Sequence, residues 1–232
     1  MQNIPLVNLL YMLFPVAAVG YFYYRWLGDI KEIPYVTFRM VVQLLIIGYL
    51  LEFLFQNDSL LLGGGILFFM IGVSSFIALR NSAHKDMQRY GALFLAIAAG
   101  GTINLLIINA AVLELNVLYI PKIMIPLAGM IYANAMNAVA IAVERFDSEI
   151  ELKGYFHARI LAFKAAMIPQ INTLLAVGLV SLPGMMTGQI LSGVSPLIAA
   201  RYQIVVMAMV LGSAGISTIL FLLMEKRRGY VA

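Results

Sequence analysis

Seven apolar runs, separated by short polar connections, account for most of this chain. A helix of roughly 20 mostly apolar residues crosses the hydrocarbon core of a bilayer, and each run is long enough for that. In hydrocarbon the peptide groups must be satisfied internally, which a helix achieves within one segment. We therefore predict an all-α, polytopic integral membrane protein with about seven transmembrane helices. The predicted spans are residues 4–26, 34–55, 60–79, 91–113, 119–143, 168–191 and 199–224.

The composition also predicts a multi-pass membrane protein. Hydrophobic residues make up 62% of the 232 residues and charged residues 11%, and the mean hydropathy is +0.94, which no water-soluble domain of this size would show. The N-terminal run lacks a basic flank and is too long for a typical signal peptide, so we expect a retained first helix. The net charge of +4 has a simpler cause than a nucleic acid partner, because basic residues beside spans act as orientation signals. We expect membrane lipid around the chain and no nucleic acid.

Lysine and arginine residues fall mainly at alternate ends of the predicted spans. Thirteen of the 15 lie at one set of ends, and only Lys122 and Arg201 lie at the other. The positive-inside rule then places the N-terminus outside and the C-terminus in the cytosol, as an odd number of spans requires. We therefore predict a location in the cytoplasmic (inner) membrane with this orientation.

One predicted cytosolic connection, about residues 147–167, has the pattern of an amphipathic helix. Asp147 and Ser148 are candidates to cap its start, and apolar residues then recur every three or four positions. Gly154 either weakens the helix or lets another group approach closely. The connection is either an interfacial helix that lies on the lipid or a docking helix for a cytosolic protein. The apolar stripe consists of Leu152, Phe156, Ile160, Phe163 and Met167.

The sequence lacks the residue patterns that catalysis among the helices would need. His84 and His157 are the only histidines, and both lie in predicted cytosolic connections, so a Ser/His site among the helices cannot be built. Neither HExxH nor the phosphate-binding GxxxxGK[ST] pattern occurs, and the absence of cysteine excludes thiolate ligands. We therefore predict that the chain is not an enzyme and carries no cofactor of its own.

A group of helix-breaking and polar residues interrupts the sixth predicted span at "SLPGMMTGQ", residues 181–189. A proline removes a backbone donor at a depth where no water replaces it. One explanation is a packing kink with a close helix contact, and the other is broken backbone that lines a transport path. The path candidates here are Pro183, Gly184, Met185, Met186, Thr187 and Gln189.

The two methionines of this segment are also the candidate metal ligands, since a thioether is a soft donor. Thioethers do not favour Fe(III), and no carboxylate lies near mid-membrane, so a ferrous or chelated ion fits better than a bare trivalent one.

Polar residues in other spans have two interpretations. Asn134 and Asn137 lie three residues apart on the fifth span, and Gln203 lies on the seventh. Hydrogen bonding between helices explains most such residues, and lining a path explains the others. Arg39, near the inner end of the second span, either snorkels to the interface or pairs with the connecting helix.

Three stretches resemble the permease subunit family of the Fet-type ABC iron exporters, which also contains plant half-transporters linked to aluminium tolerance. They are "TFRMVVQLLIIGYLLEFLF" (37–55), "IPLAGMIYANAMNAVAIAVERF" (125–146) and "GLVSLPGMMTGQILSGVSPLIAARYQIVVM" (178–207). The "LPGMMTGQIL" block is long and unusual, and the resemblance covers most of the chain. The connecting helix departs from the family pattern around Gly154, where small residues are usual.

The resemblance implies a single permease domain over residues 1–232 that exports iron or another metal. A separate cytosolic ABC ATPase subunit would hold ATP and Mg, and a second permease copy would complete the path. The residues expected to couple the permease to the ATPase are Leu152, Gly154, Phe156, Ile160, Phe163 and Arg39. Export of a sugar nucleotide or another small solute, or secondary transport driven by an ion gradient, are the alternatives.

Overall fold

The computed structural model describes residues 5–56, 59–114 and 120–226, and nearly all of them are helical, which confirms the predicted all-α class. A 3-10 turn joins the first two helices, and a π-helical turn, Ile108–Val112, continues the fifth. The helices are α1 (Leu6–Leu9), α2 (Leu13–Leu27), α3 (Glu32–Phe55), α4 (Leu60–Leu79), α5 (Met87–Ile107), α6 (Pro121–Ala176), α7 (Gly184–Leu191) and α8 (Pro196–Lys226).

Helix α6 is too long to be one membrane crossing. Its 56 residues would extend about 84 Å if straight, far more than the hydrocarbon core of about 30 Å. The helix is interrupted at Gly154, where φ is 68° and ψ is 171°, a combination that is essentially confined to glycine. We call residues 121–153 α6a and residues 155–176 α6b.

The two parts of α6 run in opposite directions along α8. At the start of α6a, Lys122 and Tyr202 line the same cavity, and near its end Asp147 shares an arginine partner with Glu225. In α6b the order is reversed, because the Tyr155 hydroxyl donates to the Leu222 carbonyl at 2.7 Å, whereas Leu174 lines a groove with Leu211. Gly154 therefore forms the turn of a helical hairpin.

The part of the chain that the structure describes contains six helices long and apolar enough to cross a membrane. Since α6 is a hairpin, these six helices provide seven crossings, in agreement with the predicted number. The crossing segments are Val7–Leu27, Glu32–Phe55, Leu60–Leu79, Met87–Val112, Pro121–Ala176 and Pro196–Lys226.

Two predicted boundaries were wrong. The sixth span was predicted at 168–191, but α6b ends at Ala176, and the chain then turns before α7. The connecting helix was predicted as one helix over 147–167, with Asp147 or Ser148 at its start, but both residues lie inside α6a and the break falls at Gly154. In each case glycine or proline interrupts the helix at a place where the apolar pattern predicts that it continues.

The described residues divide into two compact units, 5–56 and 59–226. In the first unit, α2 and α3 are joined by a short turn, and the Tyr23 hydroxyl on α2 donates to the Glu32 carboxylate at the start of α3. The single permease domain over 1–232 stays a prediction.

The core of the second unit lies where α5, α6 and α8 meet. Close helix contacts need small residues there. A Cβ added at Gly100 would lie 2.3 Å from the Ser217 Oγ and 2.7 Å from the Ser217 backbone nitrogen. The fully buried alanines of α6 are Ala128, Ala135, Ala138, Ala142, Ala158, Ala162 and Ala166.

Candidate functional site

The segment that interrupts the sixth predicted span folds as a turn followed by the short helix α7. Gly178, with φ 83°, directs its N–H to the Ser181 carbonyl at 2.9 Å. Pro183 precedes the first turn of α7, and both the amide and the hydroxyl of Thr187 donate to the Pro183 carbonyl, at 3.0 and 3.1 Å. The segment thereby satisfies these backbone groups internally, and the Thr187 hydroxyl is used for that purpose.

One side of α7 lines a cavity of about 140 Å³ between α6a, α7 and α8. Met185 and Gln189, four residues apart on α7, lie on its wall with Met130 of α6a and Tyr202 of α8. The Gln189 carbonyl oxygen is buried and has no hydrogen-bond partner among the described residues. The structure thus places two predicted path residues beside Met130 and Tyr202, which were not predicted from the sequence.

Another side of α7 lines an apolar groove of about 530 Å³ along α8 and the end of α6b. Met186 and Gln203 lie on this groove. Gln203 is only 4% exposed, and within the described chain its carbonyl oxygen also lacks a hydrogen-bond partner. Met185 and Met186, predicted together as metal ligands, therefore line different spaces.

The two predicted asparagines lie away from both spaces. The Asn134 amide donates to the Met130 carbonyl of its own helix at 2.8 Å, and Asn137 is exposed. Neither lines the cavity or the groove, so their role in a path stays a prediction.

A buried ion cluster lies at the end of the second unit that carries the Gly154 turn, which we call the Gly154 end. Arg89, at the start of α5, is fully buried. Its guanidinium donates to Glu225 of α8 at 2.7 Å and to Asp147 of α6a, and it lies over the Phe221 ring at 5.3 Å. The second oxygen of Asp147 accepts from the Ser82 hydroxyl at 3.1 Å. One arginine therefore connects the ends of α5, α6a and α8.

Three large apolar side chains protrude at the same end and form what we call the apolar tip. Leu152 is 82% exposed, Phe156 57% and Ile160 59%. Phe163, from the same predicted stripe, instead packs against the core. Arg39, the remaining predicted coupling residue, belongs to α3 in the other unit, so its coupling role also stays a prediction.

The apolar tip has charged and aromatic neighbours. Arg159 lies over the rings of Tyr155 and Phe156, at 5.5 and 5.6 Å. On α6a, Glu149 accepts from Arg145 at 2.5 Å and from Lys153 at 2.8 Å. The tip therefore lies beside Arg159 and beside the ion pairs of Glu149 with Arg145 and Lys153.

The Arg89 cluster was not predicted from the sequence. Its three charged residues are far apart in sequence, and each lies at the end of an apolar run, where solvated charges are normal. The one signal was the position of Arg89, only two residues before the predicted fourth span.

The chain matches known proteins over most of its length. The model of the uncharacterised protein family UPF0014 matches residues 6–155 and 154–230. The probable iron export permease protein FetB of Escherichia coli is 33% identical over 216 residues, which cover 86% of this chain and 82% of that protein. The protein ALUMINUM SENSITIVE 3 of Arabidopsis thaliana is 33% identical over 208 residues, covering 81% and 73%.

A bacterial relative from Synechocystis sp., described as a UPF0014 membrane protein, is 30% identical over 219 residues, covering 88% of this chain and 85% of its own. No solved structure matches the chain. These matches confirm the resemblance drawn from the three quoted stretches, and the apolar helices agree with a multi-pass protein of the inner membrane. The chain belongs to the UPF0014 family of membrane proteins.

Proposed function

We propose that this chain is the permease subunit of an ABC transporter that exports iron or another metal across the cytoplasmic membrane. A separate cytosolic subunit binds ATP and Mg and supplies the energy. The observation that carries this proposal is the apolar tip at the Gly154 end, because it offers a docking surface on a chain without a nucleotide-binding motif. The relative named as a probable iron export permease supports the choice of cargo.

The way the tip is held favours a protein partner over lipid. The Gly154 turn fixes the hairpin, and the Tyr155 hydroxyl ties it to α8 through the Leu222 carbonyl. The Arg89 cluster holds α5, α6a and α8 together beside it. A helix that only lies on lipid needs no such anchoring, whereas a surface that transmits force from an ATPase does.

A groove next to the tip offers a place for partner side chains. It has a volume of about 390 Å³ and lies between α6b and α8, with Ile160, Phe163 and Leu222 on its walls. Arg159 and Lys164 also line it. We propose that the ATPase inserts an apolar side chain here and places acidic residues beside the two cations, in the manner of a buried anchor with a polar rim.

The transport path lies, in this proposal, around α7. A second permease copy covers the apolar groove that Met186 and Gln203 line, since a closed twofold pair is the usual symmetry of such assemblies. Gln203 then gains a partner across the interface or in the path. The carbonyl oxygens of Gln189 and Gln203, buried without a hydrogen-bond partner among the described residues, support the functional interpretation of "PGMMTGQ" over the packing kink.

Co-purification tests the docking surface. The chain is expressed with a candidate ATPase subunit, and the amount of ATPase recovered per permease is measured for the wild type, Phe156→Glu and Leu197→Glu. Leu197 is the matched control, because it is 77% exposed at the start of α8, where a helix tolerates an acidic residue. Phe156→Glu should lose the ATPase and Leu197→Glu should retain it.

Equal recovery with Phe156→Glu and the wild type would contradict docking at the tip and favour the interfacial helix. Permease abundance in the membrane is measured in parallel, so that a failure to insert is not taken for a failure to bind.

A further inference from the structure

We infer that the 140 Å³ cavity between α6a, α7 and α8 is a thioether and amide site for a soft metal ion of low charge. This inference rests on the proposed function, because it gives the permease a cargo site and a preferred class of ion. It differs from the site predicted from sequence, since Met130 replaces Met186 as the partner of Met185.

The soft donors come from two helices that are distant in sequence. Met130 of α6a and Met185 of α7 both line the cavity, and both are partly buried against the core. Gln189 follows Met185 by one helical turn and lines the same cavity. Its buried carbonyl oxygen, which has no hydrogen-bond partner in the described part of the chain, is a donor that a bound cation would satisfy.

A backbone oxygen at the start of α6a is a candidate for a fourth donor. Pro126 lies inside α6a and has no N–H, so the Lys122 carbonyl lacks its usual helical donor four residues later. Both residues line the cavity.

A volume of about 140 Å³ accommodates an ion together with water, since one water needs only about 10–15 Å³ by such a measure.

The charges around the cavity select the class of ion. Among the described residues that line it, none is acidic and Lys122 is the only charged one. Hard trivalent ions such as Fe(III) and Al(III) need carboxylate or other anionic oxygen ligands, and a lysine repels them further. Thioethers select Cu(I) and the chemically similar Ag(I), and they accept Fe(II) more readily than Fe(III). The cavity therefore suits a monovalent or ferrous ion.

Ag(I) binding to the purified permease, in detergent and without any ATPase, tests this site. Ag(I) is the probe because it is soft, monovalent and not redox-active under these conditions. Affinity is measured by competition with a chelator for the wild type, Met130→Leu and Met185→Leu. Met186→Leu and Met136→Leu are the matched controls, because neither lines the cavity. Exchange of methionine for leucine nearly conserves volume, so folding should be kept.

The wild type should bind one Ag(I) per chain at this cavity, with a higher affinity than Ag(I) has for the other methionines of the chain. Met130→Leu and Met185→Leu should each weaken that site by at least about tenfold, the loss that removal of even an outer-shell partner causes. Unchanged affinity in both variants, or an equal loss in Met186→Leu, would overturn the inference. Thermal unfolding of each variant is measured alongside, because a purely structural role would lower the unfolding temperature without changing Ag(I) affinity.

The outcome separates this inference from the proposed function. If the chain recovers its ATPase and exports metal but Ag(I) binding does not depend on Met130 and Met185, only the site is wrong. If Ag(I) binds as expected but no ATPase associates, the site stands and the ABC assignment fails.

Discussion

The guanidinium of Arg89 donates to the carboxylate of Glu225 at 2.7 Å, across 136 residues of sequence, and both side chains are fully buried. Asp147 of α6a is the second carboxylate on the same arginine. The cluster connects the ends of α5, α6a and α8 next to the Gly154 turn. It should therefore restrict the movement of the apolar tip relative to these helices. Substitution of Arg89 therefore tests how much this cluster stabilises the Gly154 end.

Replacing Arg89 should strongly destabilise the protein. Arg89→Leu removes the guanidinium that Asp147 and Glu225 share, and breaking a buried ion pair in this way costs about 3–5 kcal/mol. We expect a clear fall in the unfolding temperature of the purified chain. Arg145→Leu is the control, because Arg145 lies at the same end in a half-exposed ion pair with Glu149, and its loss should be far smaller. Similar unfolding temperatures for the two variants would show that the cluster does not hold the helix ends.

A side chain at residue 154 should strain the hairpin turn. Gly154 combines φ 68° with ψ 171°, and a non-glycine residue in this region costs of order 1–3 kcal/mol. No atom lies within 4 Å of a Cβ built there, so strain alone is tested. Gly154→Ala should lower the unfolding temperature and weaken ATPase recovery, whereas Gly64→Ala, in the equally open setting of α4, should do neither. Normal stability of Gly154→Ala would mean that the turn does not need this conformation.

Gln203 should matter for transport more than for stability. Its carbonyl oxygen is buried without a hydrogen-bond partner in the described residues, and removing such a group is neutral or stabilising. We expect Gln203→Met to unfold at the same or a higher temperature while metal transport by the complex falls. Gln88→Met, at an exposed position of α5, is the control for both measurements. A loss of stability with normal transport would instead identify Gln203 as a packing residue.

The topology predicted from the basic residues can be tested directly with reporters. A reporter fused after Lys226 should be active in the cytosol, and one inserted at Ser195, between α7 and α8, should report the external side. The opposite pair of results would reverse the orientation of the whole chain, and with it the side on which an ATPase could bind.

Much of the helical framework could be predicted from apolar run length. The runs 34–55 and 60–79 agree closely with α3 and α4, because a bilayer imposes a fixed length on an apolar helix. Apolar run length did not predict α6b and α7 correctly. The run 168–191 is apolar enough for one span, but Gly178 and Pro183 end the helix before it is complete.

The site could be predicted only in part. Proline and glycine in an apolar run correctly predicted a backbone break, which lies between Ala176 and Gly184. The path roles of Gln189 and Gln203 stay predictions, although both residues line open space. The partners could not be predicted, because Met130 and Tyr202 come from other helices whose rotation depends on packing. The division of Met185 and Met186 between two spaces follows from the short helix, in which neighbouring residues point about 100° apart.

ATP-driven metal uptake into inside-out membrane vesicles tests the central claim most directly. Vesicles are prepared from cells that express this chain, its ATPase, both or neither, and iron kept ferrous by a reductant is supplied outside. We predict ATP-dependent accumulation of iron only when both subunits are present, and its loss with Phe156→Glu. Accumulation with this chain alone, driven by an ion gradient and independent of ATP, would contradict the account and identify a secondary transporter.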